Sequence, residues 1–432
     1  MEMLKKAAEY ALASLVKAGA DKAQVSVSSG DSEEFNVDAG EFSLIRSVFS
    51  SGIAVKAVKD GKKGTASVNQ LDKESIDEAV KECIESAEAG VPDDAVTVAE
   101  KEENCDFVSG ALAPDKAAFF DSLIRFTEDV KREFPQIMIE QLVATYGRGK
   151  LVTANTNGVL FTEEDGYYSV SVMYSAHDGE RATSFNSFDI DYLDPNTVIM
   201  NTDIPRIMFR RAVKELDAVP FEGKFCGTAV LSPLCLSSFI SIIEGAFAGD
   251  YALIEGISPW KDKLGQQVAS PSFTLSVAPD DERMVCGEKV TSDGYRSVGF
   301  DIIKDGILES FCLSEYASRK TGLERAKSSS GCVVVNAGEK ALSDIIGGID
   351  KGVLVCRFSG GEPANNGDFS GVAKNSFLIE NGKITDALTE TMISGNFADM
   401  LMNVKEISSD TISDGSCVLP YVAFDGVTVS GK

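Results

Sequence analysis

The sequence predicts an α+β protein with two helix–antiparallel-strands–helix units followed by a strand-rich C-terminal domain. Three observations carry this expectation. Apolar residues recur with helical spacing in four segments of the first half, and each pair of segments brackets runs that alternate polar and apolar. That order occurs twice. Beyond Phe225 the chain is mostly short alternating runs broken by Gly, Asn and Asp. The implied boundaries are 1–90 for the first unit, 91–114 for a linker, 115–220 for the second unit and 221–432 for the C-terminal domain. A chain of 432 residues also exceeds what one hydrophobic core usually serves.

Leu4, Ala7, Ala8, Ala11, Leu12 and Leu15 keep a helical period, and Gly19 supplies a stop. Alternation begins at Ala23, Val25 and Val27 and returns through Phe42–Val48 and Ile53–Val58. Asp60-Gly61 predicts a hairpin turn before Gly64–Val68, because both residues accept positive φ. Asp72 is placed to cap a helix whose Ile76, Ala79, Val80, Cys83, Ile84 and Ala87 share one face. Gly90–Asn104 is acidic, weakly patterned and contains Pro92, which marks a linker.

The second unit opens with a helix from about Asp115 to Phe134, closed by Pro135. Strands are expected at Gln136–Tyr146, Leu151–Asn155, Val159–Thr162, Tyr167–Ser175 and Arg181–Asp191, with turns at Thr156-Asn157-Gly158 and His177-Asp178-Gly179. A helix over Ile204–Leu216 ends the unit. Phe225–Ile243 holds no charged residue, but its character changes at Pro233. A strand Cys226–Leu231 leading into a buried helix Leu234–Phe247 accounts for it without a membrane span. Short helices are expected near Glu315–Gly322 and Phe397–Val404.

Gly361–Leu401 is the stretch richest in turn chemistry. A run from Gly361 to Asp368 precedes a strand Phe377–Glu380, the turn Asn381-Gly382 and a strand Lys383–Leu388. Such glycine- and asparagine-rich loops on a rigid scaffold are frequent binding elements. Asn366, Gly367, Asp368, Phe369, Ser370 and Gly371 are therefore expected to expose backbone toward a cleft beside the Leu234–Phe247 helix.

The formal charge of −26 opposes binding to nucleic acid or to an anionic membrane, since both depend on Lys and Arg neutralising phosphates. Nine widely spaced cysteines without Cys-x-x-Cys fit reduced thiols and a cytoplasmic location. Met1-Glu2-Met3-Leu4-Lys5-Lys6 runs straight into an amphipathic helix rather than a signal peptide.

Catalytic motifs are scarce. His177 is the single histidine and falls at a hairpin tip. There is no phosphate-cradling loop, Gly147-Arg148-Gly149 lacks the third glycine of a dinucleotide fingerprint, and Gly367–Gly371 is not a nucleophile elbow. Asp280-Asp281-Glu282 reads as a solvated turn.

The whole chain nevertheless resembles the TldD/PmbA family, also called modulators of DNA gyrase. The resemblance rests on Val55–Leu71, Ala248-Gly249-Asp250-Tyr251, Ile257-Ser258-Pro259-Trp260 and Leu264–Ser270. It rests further on Asn366–Gly371 with Phe377–Gly382, and on the closing segment from Asp410. In that family, one branch is a zinc peptidase with His-Glu-x-x-x-His on a buried helix, and the PmbA/TldE branch pairs with it and lacks the motif. Registered on Gly249-Asp250-Tyr251, the motif positions are Ile240, Ser241 and Gly245, none of them a zinc donor. Cys417 stands near the position of the siblings' cysteine ligand, and a buried structural thiol is the expectation there.

The resemblance thus implies a non-catalytic partner of a TldD-like zinc peptidase subunit acting on extended peptide substrate. No cofactor is expected in this chain, with zinc in the partner, and a homodimer is possible in isolation. The alternative is a stand-alone peptide-binding or scaffold protein.

Overall fold

The computed structural model describes residues 1–329, 331–361, 363–389 and 391–431. Glu362 and Glu390, both within the Gly361–Leu401 stretch, lie outside them. The first half runs α1 (Glu2–Lys17), β1 (Lys22–Asp38), β2 (Glu41–Lys59), β3 (Lys62–Val68), α2 (Lys73–Ala89), β4 (Cys105–Val108), α3 (Lys116–Glu133), β5 (Ile137–Asn155), β6 (Leu160–Asp178), β7 (Arg181–Ala182), β8 (Asn186–Tyr192) and α4 (Pro205–Glu215). The strands form one sheet in the order β3-β2-β1-β5-β6-β4, with β7 and β8 added along β6.

Both helix–strand units share this sheet, because its central strands pass through two cores. Val25 and Val27 of β1 pack with α1 and α2 around Leu4, Ala11, Ile76 and Cys83. Phe35 and Val37, further along the same strand, join Phe119, Phe126, Phe209 and Tyr174 around α3 and α4. The short strands expected from alternation are joined into longer ones. β1, β2, β5 and β6 are each 17 to 19 residues long. Alternation lapses mid-strand, but pairing continues, held by cross-strand charge pairs such as Arg46–Glu34 and Arg148–Glu164. Gly147-Arg148-Gly149 accordingly lies inside β5. The expected strand Arg181–Asp191 is instead two, β7 and β8.

Local signals were accurate where side-chain chemistry dictates geometry. Asp60 and Gly61 take φ of 52° and 70° at the β2–β3 turn. The Asp72 carboxylate accepts the Ser75 N–H at 3.0 Å. The segment after α2 packs closely: Ala95, Val98 and Ala99 are buried, and Ala99 joins Val159, Phe161, Val290 and Tyr295 in a small cluster.

The second half runs β9 (Val219–Pro220), β10 (Lys224–Leu231), α5 (Pro233–Ile242), a π-helical turn (Ile243–Phe247), α6 (Asp250–Ile254), β11 (Leu275–Val277), β12 (Phe300–Lys304), β13 (Ile307–Leu308), α7 (Glu315–Thr321), β14 (Val333–Val335) and α8 (Leu342–Gly347). It continues through β15 (Lys351–Ser359), β16 (Asp368–Glu380), β17 (Lys383–Thr389), β18 (Met392–Asn396), α9 (Phe397–Met402), β19 (Val404–Ser413) and β20 (Val418–Ser430). These strands form a second sheet in the order β13-β12-β11-β14-β20-β10-β15-β16-β17-β9, with β18 and β19 attached beside it. Among the described residues no helix is long and apolar enough to cross a membrane.

Helix α5 is central to the C-terminal core. Ser232 caps it, Pro233 fits its first turn, and Leu236, Phe239, Ile240, Ile243 and Phe247 pack against Val355, Phe369, Phe397 and Phe424. The expected single helix Leu234–Phe247 ends in a π turn, closed by the Ala248 N–H donating to the Ile243 carbonyl at 2.7 Å. The extra residue in that turn rotates the helix face before Gly249.

Candidate functional site

The opposite side of α5 lines a cleft of about 600 Å³. Its walls are Ser238, Phe239, Ser241, Ile242 and Ala246 from the helix, facing Phe358, Ser359, Gly360 and Pro363 from the end of β15 and the segment after it. The lining combines serine hydroxyls with hydrocarbon, and among the described residues it includes no ionisable side chain. Ser241 is exposed, and its hydroxyl donates to the Ser238 carbonyl at 2.8 Å. Among the described residues the lining therefore holds no ionisable side chain to activate a serine hydroxyl.

The three degenerate motif positions diverge. Ile240 is 1% exposed and belongs to the core. Ser241 lines the cleft. Gly245 borders a second cavity of about 340 Å³ with Glu244, Asp250, Asp293, Ser314 and Arg325. Among the described residues no three His, Cys, Asp or Glu side chains converge to hold a metal ion. A hydrocarbon, a hydroxyl and a bare backbone position do not fit zinc, which takes imidazole, thiolate or carboxylate donors.

Glu244, the carboxyl group on this helix segment, borders the second cavity together with Gly245. Its Oε1 accepts the Gly331 N–H at 2.8 Å, and burial raises its pKa. Cys417 is half-buried rather than buried. Burial, followed by the charge of Asp414, pushes its thiol up to about 12, and its Sγ lies 3.5 Å from the Asp414 carboxylate.

The stretch Asn366–Gly371 does lie beside the helix, but not as the expected exposed loop. Asp368–Gly371 is the first part of β16, paired with Ile393–Asn396 of β18. Phe369 is 4% exposed and sits edge-on to Phe239, with ring centroids 5.2 Å apart. Gly367 has φ of 90°, and a Cβ there would lie 2.9 Å from the Phe247 ring. A Cβ on Gly371 would overlap the Gly360 carbonyl and the Phe358 ring. Asn366 and Asp368 hydrogen-bond to each other and to Asn396. Ser370 opposes Ser394 in the ladder.

These residues support the cleft wall from behind, and Phe358, Ser359, Gly360 and Pro363 form its surface. Sequence reasoning missed that surface, although two signals mark it. One is the Gly360-Gly361 pair shortly before Pro363. The other is the pair Ser238 and Ser241 on a largely apolar helix.

His177 lies next to the end of β6, opposite Ala182 of β7, with its side chain 43% exposed and its Nε2 2.8 Å from the Ser175 hydroxyl. Asp281 is bound by the Arg283 guanidinium, which lowers its pKa to about 2, so the acidic turn is internally neutralised in part.

Comparison with known proteins agrees with the fold. Residues 223–431 match the PmbA/TldA metallopeptidase C-terminal domain, and residues 23–87 match PmbA/TldA metallopeptidase domain 1. The chain is 26% identical over 454 residues to Metalloprotease PmbA of Escherichia coli O157:H7, covering 98% of this chain and 96% of that protein. It is 24% identical to the Metalloprotease PmbA homolog of Haemophilus influenzae over 99% of this chain and 96% of that one. The fold matches TldE from Thermococcus kodakarensis with a TM-score of 0.85 at 20% identity, covering 98% of this chain and 100% of that one. It also matches a putative modulator of DNA gyrase from Bacteroides thetaiotaomicron with a TM-score of 0.84 at 24% identity, covering 99% of each chain.

Fold and matched domains together define a chain of metallopeptidase-family type in which, among the described residues, no three His, Cys, Asp or Glu side chains converge to hold a metal ion. The chain belongs to the PmbA/TldD family.

Proposed function

We propose that this chain is the non-catalytic partner subunit of a TldD-type zinc metallopeptidase, contributing cleft wall and peptide-holding surface while the partner supplies zinc and the chemistry. The observation that carries this reading is the cleft along α5. It is built on the helix that bears the zinc motif in catalytic siblings, yet its described lining has no ionisable side chain. A wall of hydroxyls, hydrocarbon and glycine backbone suits an extended peptide, because main-chain groups of the ligand are held without selecting its side chains. Nine free cysteines support a reducing, cytoplasmic setting.

The test fills the cleft. Ser241 is exposed, so Ser241→Trp leaves the fold intact while occupying the cleft. In a complex with a TldD-type subunit, this variant is expected to lower peptide turnover at least about tenfold, an effect of over 1.4 kcal/mol. Unchanged turnover with a wild-type melting profile would overturn the reading.

A further inference from the structure

The bend of β16 is held from outside its own sheet. The strand pairs with β17 over Ser376–Glu380 and with β18 over Asp368–Val372, and Asn375 stands between the two with φ of 51°. Its pairing with β15 also skips there, passing from Val355–Ser376 to Arg357–Lys374. A left-handed conformation is unfavourable for a residue with a Cβ, and Asn adopts it when its side chain is well bonded. Asn375 is 8% exposed, and its Nδ2 donates to Glu215 Oε2 of α4 at 2.7 Å. The other oxygen of each group, Glu215 Oε1 and Asn375 Oδ1, is buried without a partner among the described residues.

Two orphaned acceptors on one hydrogen-bonded pair are short of a hydrogen. Tyr174 of β6, also unpartnered at its hydroxyl, can serve only one of them. Arg211 of α4 donates to the Tyr421 hydroxyl of β20 at 2.9 Å, and Arg357 of β15 donates to the Phe185 carbonyl at 3.1 Å. Both guanidinium groups favour an ionised Glu215, yet among the described residues neither bonds to it. Burial outweighs them and raises its carboxyl to about 7. Cys356 of β15 faces the same cluster as a neutral thiol, its own pKa raised by burial.

We propose that Glu215 carries a proton that it donates from Oε1 to Asn375 Oδ1, so that acid and amide close a two-bond pair and hold the bend of β16. A single hydrogen then satisfies both orphans. Removing the proton sets two oxygens against each other in a buried site, and the bend loosens as the pair opens to water. The bend stands between α4 and the first part of β16, where Phe369 backs the cleft and Gly371 adjoins Phe358 of its wall. Glu215 and Asn375 are thus positioning residues for that wall. This consequence rests on the peptide-holding role proposed for the cleft, whereas the acid–amide pair does not.

The pair is tested on the full chain alone. In infrared spectra, Glu215→Gln should lack a protonated-carboxyl band that the wild type loses as pH rises through about 7. Backbone amide exchange over residues 368–374, corrected for its intrinsic pH dependence, should quicken at least about tenfold between about pH 6 and pH 8. Glu163 titrates in the same window, so Glu163→Gln should keep that response. Glu215→Gln should abolish it, because its amide reproduces both bonds. An unchanged set of carboxyl bands, or exchange that responds to pH equally in Glu215→Gln, would overturn the inference. Should Glu215→Gln fail to fold, the exchange step in Glu163→Gln, present near about pH 7 or absent, decides. In a complex with a TldD-type subunit, the ratio of wild-type to Glu215→Gln KM for peptide should rise about threefold or more across the same window. A pair that titrates as expected while this ratio stays level would overturn the link to peptide holding.

Discussion

Ile240 and Ser241 are neighbours in the chain but face opposite environments, Ile240 enclosed at 1% exposure in the C-terminal core and Ser241 exposed on the cleft. Gly245 borders another cavity. The helix therefore does not present the three positions as one site, and restoring the missing residue types is not sufficient to restore a zinc centre. The combined change Ile240→His, Ser241→Glu and Gly245→His is expected to bind no stoichiometric zinc. Burying an imidazole in place of Ile240 should also cost about 2–5 kcal/mol. Metal analysis and urea unfolding of the variant check the two halves of this prediction.

Gly367 and Gly371 should prove structural before they prove functional. Gly367 holds φ of 90° against Phe247, and Gly371 fits between Gly360 and Phe358. Gly371→Leu is expected to lower stability by about 2–4 kcal/mol, through backbone overlap that no rotamer relieves. Ser241→Trp, in open space, should change stability by less than about 0.5 kcal/mol. Chemical unfolding of both variants distinguishes support of the cleft from lining of it.

Glu215 gives the fold a pH dependence at the junction of its two sheets. This residue of α4 accepts a hydrogen bond from Asn375 of β16 at 2.7 Å, while burial pushes its carboxyl up to about 7 from 4.5. The folded state thus holds the proton more tightly than the unfolded state. The contribution to stability is complete below about pH 4.5 and is lost as pH rises through about 7. Glu215→Gln should therefore stabilise the protein relative to wild type at about pH 8, by on the order of 3 kcal/mol, and much less near pH 5. Glu163, also pushed up to about 7 by burial, titrates in the same window, so the variant isolates the share of Glu215. Urea midpoints across that range measure the difference.

Much of the fold was legible where one side chain dictates one geometry. The Asp60-Gly61 and Asn381-Gly382 turns, the Asp72 cap and the helical stripes of α1 and α2 all appear as expected. Strand lengths were less legible, because alternation reports burial on one face and not pairing. Residues 28–34 of β1 lack an apolar face yet remain fully paired with β2 and β5. The fusion of two units into one sheet follows from that hidden continuity. The candidate site was half legible: turn chemistry pointed to the correct neighbourhood of α5. Whether Phe358, Ser359, Gly360 and Pro363 or Asn366–Gly371 face the cleft depends on the β16–β18 pairing, which local sequence does not encode.

The central claim is a division of labour between this chain and a zinc-bearing partner. It is tested most directly by co-purifying the chain with a TldD-type subunit and then measuring zinc content and peptide hydrolysis for each subunit alone and for the pair. The account predicts a stable complex, zinc only in the partner, no hydrolysis by this chain alone, and activity in the pair that falls when the Ser241→Trp variant is used. Stoichiometric zinc in this chain, or peptide hydrolysis by this chain alone, would contradict it.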